Sequence, residues 1–223
     1  MLKKLKENSL LISAVIVLIM IIVVLFINPK EKVKKPQNVV DNKSIISKFD
    51  KIGNNYEIDI EETNNNVVIN HIYYTDSKME LYETENMDVG YVKYNDKFYI
   101  MDGNTHKLSK TKNINFIDEQ YYDLDFIKNL LSNCEFEFEN NATVKCNIKR
   151  RDYFNKLNSK YNTKYGNDSE DEIEIILKYS DSIKNINIDY SSDYVINKYN
   201  LTIKNIGNND FHEIREYYKD ILE

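Results

Sequence analysis

Tyr56-Glu57-Ile58-Asp59-Ile60-Glu61 decides the fold. Large apolar side chains fall on every second residue and acids on the residues between. Successive side chains on a strand point to opposite faces, so this is the pattern of a β-strand with one dry and one wet face. Asn64-Asn65-Asn66 follows as a turn, and Val67 to Tyr74 reads as the returning strand. Further strands are expected at 78–83, 88–94 and 97–101, the last two joined as a tight hairpin by Asn95-Asp96.

Outward from there the pattern alternates with short helices. Upstream, Ile45, Phe49 and Ile52 keep helical spacing and Gly53-Asn54 ends the run. Downstream, residues 123–132 place Leu124, Ile127 and Leu131 on one face behind Asp123, a good N-cap. Strands at 135–139 and 143–148 flank Asn140-Asn141, and a helix over 152–165 ends at Gly166. Strands follow at 172–179, 183–191 and 195–206, and Phe211, Ile214, Tyr218 and Ile221 stripe a last helix. Strands joined by short turns pair antiparallel, and the interspersed helices predict an α+β class.

Before this domain, Leu10 through Ile27 holds only Ser13 as a polar residue and no charge. Eighteen helical residues span about 27 Å, close to the roughly 30 Å of bilayer hydrocarbon. The expected organisation is a tail over 1–9, a transmembrane helix over 10–27, a basic linker over 28–43 and a domain over 44–223. A cleaved signal peptide is the other reading; it calls for a shorter apolar core and a small-residue cleavage site, and Ile27-Asn28-Pro29-Lys30 supplies none.

Charge divides along the same line. Residues 1–36 carry seven lysines against Glu7 and Glu31, a net of +5, so the chain's total of −6 leaves −11 for the remainder. An acidic domain is a poor match for phosphate backbones, which excludes nucleic acid as the expected partner. The lysines beside the apolar run suit anionic headgroups.

Few residues point to chemistry. His71, His106 and His212 are scattered and keep no metal-ligand spacing, and five well-separated glycines make a phosphate-cradling loop hard to build. The acidic run from Asp168 to Glu172 lacks the spacing of a calcium loop. No catalytic residue, cofactor or metal is expected. Cys134 and Cys146 lie six residues either side of Asn140, opposite one another in a hairpin centred there. A disulfide is the preferred reading, with two buried thiols as the other, and it places the domain in an oxidising compartment. Many of the 18 tyrosines fall in strands. They are either ordinary cross-strand core or one wall of an apolar pocket, for which Tyr56, Ile58, Ile60, Tyr91, Tyr99, Ile175, Leu177 and Ile188 are the candidate lining residues.

The order of features resembles one family. A helix ending Phe49-Asp50-Lys51-Ile52 leads into Asn55-Tyr56-Glu57-Ile58-Asp59-Ile60; a ladder contains Tyr94 to Asp102; and Ile175 to Lys184 runs into Ile186-Asn187-Ile188-Asp189-Tyr190. Over roughly residues 44–206 this is similar to the LolA/LppX-like proteins. The resemblance implies a curved antiparallel sheet, a half-barrel, wrapping a helix around a hydrophobic cavity that carries lipoproteins or lipids across a bacterial envelope. The chain departs from the family in its membrane anchor and in the length of the helix at 152–165. The resulting expectation is a single-pass protein of the cell membrane, its C-terminal domain extracytoplasmic, holding a lipid or lipidated partner without enzymatic activity. The alternative is an envelope protein-interaction or sensor module.

Overall fold

Asn95 and Asp96 both adopt positive φ, 47° and 59°, the conformation that a two-residue hairpin turn demands and that Asn and Asp tolerate best. Asn65, at φ 53°, turns the first hairpin. These turns set the register of a computed structural model that describes residues 41–76, 78–85, 89–102, 105, 107–111, 122–164, 170–191, 196–208, 216 and 219–222. Residues 38–223 form one compact unit.

In chain order the elements are α1 (Asn42–Asp50), β1 (Tyr56–Asn64), β2 (Val67–Thr75), β3 (Met79–Thr84), β4 (Val89–Tyr94), β5 (Lys97–Asp102) and β6 (Lys107–Thr111). Then come α2 (Leu124–Leu131), β7 (Glu137–Asn140), β8 (Thr143–Lys149), α3 (Arg150–Tyr161), β9 (Glu172–Tyr179), β10 (Ile183–Asp189), β11 (Asn197–Lys204) and α4 (Lys219–Leu222). The eleven strands make one sheet in the order β6-β5-β4-β3-β2-β1-β11-β10-β9-β8-β7. Every pairing between neighbours is antiparallel.

This architecture corrects the expected class. In place of an α+β half-barrel behind a transmembrane helix, the described residues are dominated by a single large antiparallel sheet carrying three helices of eight residues or more. The segment 10–27 lies outside the described residues, and among those described no helix is long and apolar enough to cross a membrane. Two local effects account for the shift toward sheet. Lys107-Leu108-Ser109-Lys110-Thr111, too polar to show a strand period, pairs with β5 through Leu108 opposite Met101. The helix expected over 152–165 is shorter at its end, because Asn162 leaves the helix in the left-handed conformation (φ 54°, ψ 40°) ahead of Gly166.

The alternation noted in β1 runs through the sheet. Tyr56, Ile58 and Ile60 share a face with Tyr73, Tyr82 and Tyr91 on one side and with Ile203, Leu201, Ile186, Leu177, Ile175 and Val144 on the other. That face is covered by α1 through Ile45 and Phe49, by α2 through Phe126, Ile127, Leu130 and Leu131, and by α3 through Tyr153 and Leu157, all in one core. Burying a side chain of this size is worth about 1.5–3 kcal/mol, so the helix cover is the main cohesive layer. A second, smaller core lies on the opposite face of β3–β6, where Met79, Leu81, Val92, Tyr99, Met101 and Leu108 pack with Leu222 of α4. Helix entries are fixed by Asp41 and Asp123, whose side chains accept from the amides of Lys43 and Phe126.

Candidate functional site

Asp123 both starts α2 and organises its surroundings. One carboxylate oxygen accepts from the Phe126 amide at 2.8 Å and the other from the Tyr161 hydroxyl at 2.6 Å, while Lys160 pairs with it. The cap sets the N-terminal turn of α2 beside the first residues of β1 and the C-terminal end of α1. A cleft of about 580 Å³ opens there, and its walls include Asp50, Tyr56, Tyr73, Glu80, Tyr122 and Asp125.

Aromatic rings form one wall. Tyr73 and Tyr122 stack with centroids 4.5 Å apart, and Tyr56 lies 6.1 Å from Tyr73. The Tyr122 hydroxyl shares a 2.8 Å hydrogen bond with that of Tyr91. Charges form the other wall, mostly in pairs. Glu80 accepts from Lys93 at 2.7 Å and from the Tyr73 hydroxyl at 3.2 Å, and Lys128 is paired with Asp50. Burial first, then the carboxylates of Asp123, Asp125 and Glu80, raises the ionisation of Tyr56 well above that of a free phenol. Burial likewise pushes Tyr73 up, with Glu80 adding to it. Both phenols are therefore neutral donors at physiological pH.

A second polar cluster sits on the same sheet face. The Tyr82 hydroxyl is 2.7 Å from Nδ1 of His71, which is also 3.1 Å from the Thr84 hydroxyl, and Nε2 of His71 is 3.2 Å from Glu62. The Tyr199 hydroxyl donates to Glu62 at 3.1 Å. The hydrogen bond with His71 is the largest influence holding the Glu62 carboxyl below its usual range, with Tyr199 adding to it against partial burial. His71 itself is 8% exposed. His106 and His212 lie outside the described residues. Among the described residues no three His, Cys, Asp or Glu side chains are grouped as metal ligands.

The eight residues proposed for an apolar pocket separate by strand parity. Tyr56, Ile58, Ile60, Tyr91, Ile175, Leu177 and Ile188 belong to the helix-covered core, and Ile58, Ile175 and Leu177 are fully shielded from solvent. Tyr99 lies on the other face, because the hairpin register pairs it with Val92 and sets Tyr91 opposite Ile100. Tyr56 alone among the eight reaches the 580 Å³ cleft, while Ile188 borders a smaller trough of about 320 Å³ on the polar side of the sheet.

Cys134 and Cys146 are joined by a disulfide with a Cα separation of 6.2 Å. The hairpin does not set them directly opposite one another: Glu137 pairs with Lys145, Cys134 precedes β7, and its amide donates to Leu131 at the end of α2. The bridge thus ties the α2 turn to β8. A trough of about 810 Å³ runs beside it, with Glu135, Glu137, Lys145 and Lys149 on its walls. In the acidic run, Glu170 pairs with Lys149 and Arg151.

Sequence periodicity gave no sign of Asp125, Glu80, Lys93 or Tyr122 as neighbours. They come from β3, β4 and the entry to α2, and only the sheet order brings them together. Neither protein-family models nor curated proteins match this chain.

Proposed function

We propose that the chain is a non-enzymatic binding and sensing module held at the outer face of a membrane, and that its ligand site is the tyrosine- and carboxylate-walled cleft at the start of β1. The observation that carries this reading is the contrast between the two apolar-ringed regions. The broad aliphatic face expected to hold lipid is already occupied by side chains of α1, α2 and α3. The cleft beside it instead combines aromatic faces with hydrogen-bonding groups, the mixture that small-ligand sites use to fix orientation.

Location rests on two features. The uncharged run from Leu10 to Ile27, flanked by lysines, favours attachment to a bilayer. The Cys134–Cys146 bridge favours an oxidising compartment. A sensing role is consistent with the way Asp123 joins the cleft to α2 and to Tyr161 of α3, so that an occupant pressing on the α2 entry acts on both helices.

Native mass spectrometry of residues 38–223, prepared without detergent and then denatured, tests the choice against the LolA/LppX-like carrier. The expected native mass is that of the polypeptide, about 2 Da light for one disulfide, with adducts only from small polar compounds. A lipid that co-purifies and leaves only on denaturation overturns the proposal and restores the carrier. Thiols found free in fresh material overturn the outward placement.

A further inference from the structure

We propose that the cleft at the start of β1 takes the ammonium or guanidinium end of an organic cation, held between Asp125, the Tyr56 hydroxyl and the stacked rings of Tyr73 and Tyr122. The inference rests on the reading of this cleft as the ligand site and names the ligand's chemistry.

The charges point one way. Asp50, Glu80, Asp123 and Asp125 face Lys93 and Lys128, and with Lys160 paired to Asp123 four carboxylates stand against three amines, a local balance of −1. All three amines are engaged, Lys128 with Asp50, Lys93 with Glu80 and Lys160 with Asp123, which is also taken by Tyr161 and the Phe126 amide. Asp125 is exposed and has no ion pair among the described residues. It is therefore the carboxylate left for a ligand.

Tyr56 supplies an independent sign. Its side chain is 8% exposed and lines the cleft, yet among the described residues its hydroxyl has no hydrogen-bond partner. The ring is buried while the hydroxyl oxygen itself reaches the cleft, so a bound polar group can pair with it directly in place of water. Its acceptor lone pairs are matched by the N–H donors that an ammonium or guanidinium carries.

The rings complete the site. Cations are attracted to aromatic faces within about 6 Å, and the attraction grows as the site is desolvated. The same region already holds one ammonium in this manner: Lys93 Nζ lies 2.7 Å from Glu80 and 5.8 Å from the Phe98 ring centroid. An anion would meet a negative wall here. A bare divalent ion would lack a grouped set of ligands among the described residues.

The experiment is isothermal titration of the full chain in non-ionic detergent with agmatine, beside inositol as a neutral polyol and glutarate as an anion. Carbon-13-labelled tyrosine resonances report whether the cleft is the place bound. Agmatine is expected to bind, to shift Tyr56, Tyr73 and Tyr122, and to weaken in high salt. Asp125→Asn is expected to reduce affinity about tenfold and Tyr56→Phe several-fold, since hydrogen bonds to charged groups are the strong class. Glu139→Gln, an exposed change on β7, is the control expected to have no effect. Asp125 is exposed and unpaired, so its variant keeps the fold and remains informative if Tyr56→Phe does not. Silence to agmatine, or binding indifferent to Asp125→Asn, overturns the inference. If inositol or glutarate shifts the same tyrosines while agmatine does not, the cleft remains a ligand site and only its cation chemistry is lost. If none of the three acts and a lipid adduct appears in the native spectrum, both readings fall.

Discussion

Reduction of the Cys134–Cys146 bridge offers the cleanest measure of how the helix layer is fastened to the sheet. The bridge closes a loop with a sequence separation of 12, for which the chain-entropy relation gives a stabilisation of about 3 kcal/mol at room temperature. Because Cys134 sits on the α2 turn and Cys146 pairs with Ile175 in the sheet, the loop it closes contains β7, its turn and the first half of β8. The same turn is held by a second tie, the Asn42 side chain donating to the Cys134 carbonyl at 2.6 Å. Urea unfolding of oxidised and reduced protein, compared by midpoint and slope, measures the effect. With a slope of about 2 kcal/mol per molar, the midpoint should fall by about 1.5 M on reduction. Hydrogen exchange on the reduced protein should quicken first at α2 and β7 and leave β1–β3 nearly unchanged. A midpoint shift below about 0.3 M, or loss of protection spread evenly over the sheet, would refute the reasoning that the bridge acts locally on the α2–β8 junction.

Three further outcomes are expected. Gly90→Ala should destabilise by about 1–3 kcal/mol in chemical denaturation, because the added methyl would lie 2.5 Å from the Met101 side chain and 2.7 Å from the Tyr82 carbonyl, and the carbonyl cannot yield. Asp123→Ala removes an N-cap and the acceptor of the Tyr161 hydroxyl, and should cost about 2 kcal/mol with faster exchange in the first turn of α2. For Glu62 the pH dependence has a definite sign. Its carboxyl titrates lower in the folded protein than in the unfolded chain, so its contribution is present above about pH 4 and is lost as pH falls through the folded value. Glu62→Gln should flatten that acid limb of the stability curve, and an unchanged limb in thermal melts across pH would show that the contacts with His71 and Tyr199 carry no weight.

The strands were legible where side-chain alternation was strong. β1 and β9 carry aliphatic or aromatic residues at every second position, from Tyr56 to Ile60 and from Ile173 to Leu177, and the structure sets those residues in the core. β6 was not, because only Leu108 of its five residues is buried and an edge strand needs few apolar contacts to pair. The helix residues 124–131 were equally clear, with Leu124, Ile127 and Leu131 buried as the 3.6-residue period requires. The class was harder to read, since local patterns identify elements but the dominance of a single sheet depends on which strands become neighbours. For the site the limit was sharper still. Tyr56 was a candidate for its place in a strand, while Asp125 and Glu80 were two acids among 36 until the fold brought them to one cleft. The disulfide could be inferred from spacing, but its attachment to the α2 turn could not.

The neighbouring positions of β1 and β11 have a consequence for how the chain reaches this state. Each flank of the sheet, β1 to β6 and β7 to β11, grows by adding strands that are close in sequence, whereas the seam between them joins the first strand to the last. Tyr199 and Glu62, hydrogen-bonded across that seam, are separated by 137 residues. Closing so long a loop is slow compared with zipping a hairpin, so the seam is the expected rate-limiting step of folding. A chain emerging from its N-terminus would hold β1 with one edge bare until β11 was released, and any copy truncated before Asn197 would keep two unpaired edges in the middle of what should be a continuous sheet. Release of β11, and not of any earlier strand, is what protects the middle of this sheet from pairing with another chain.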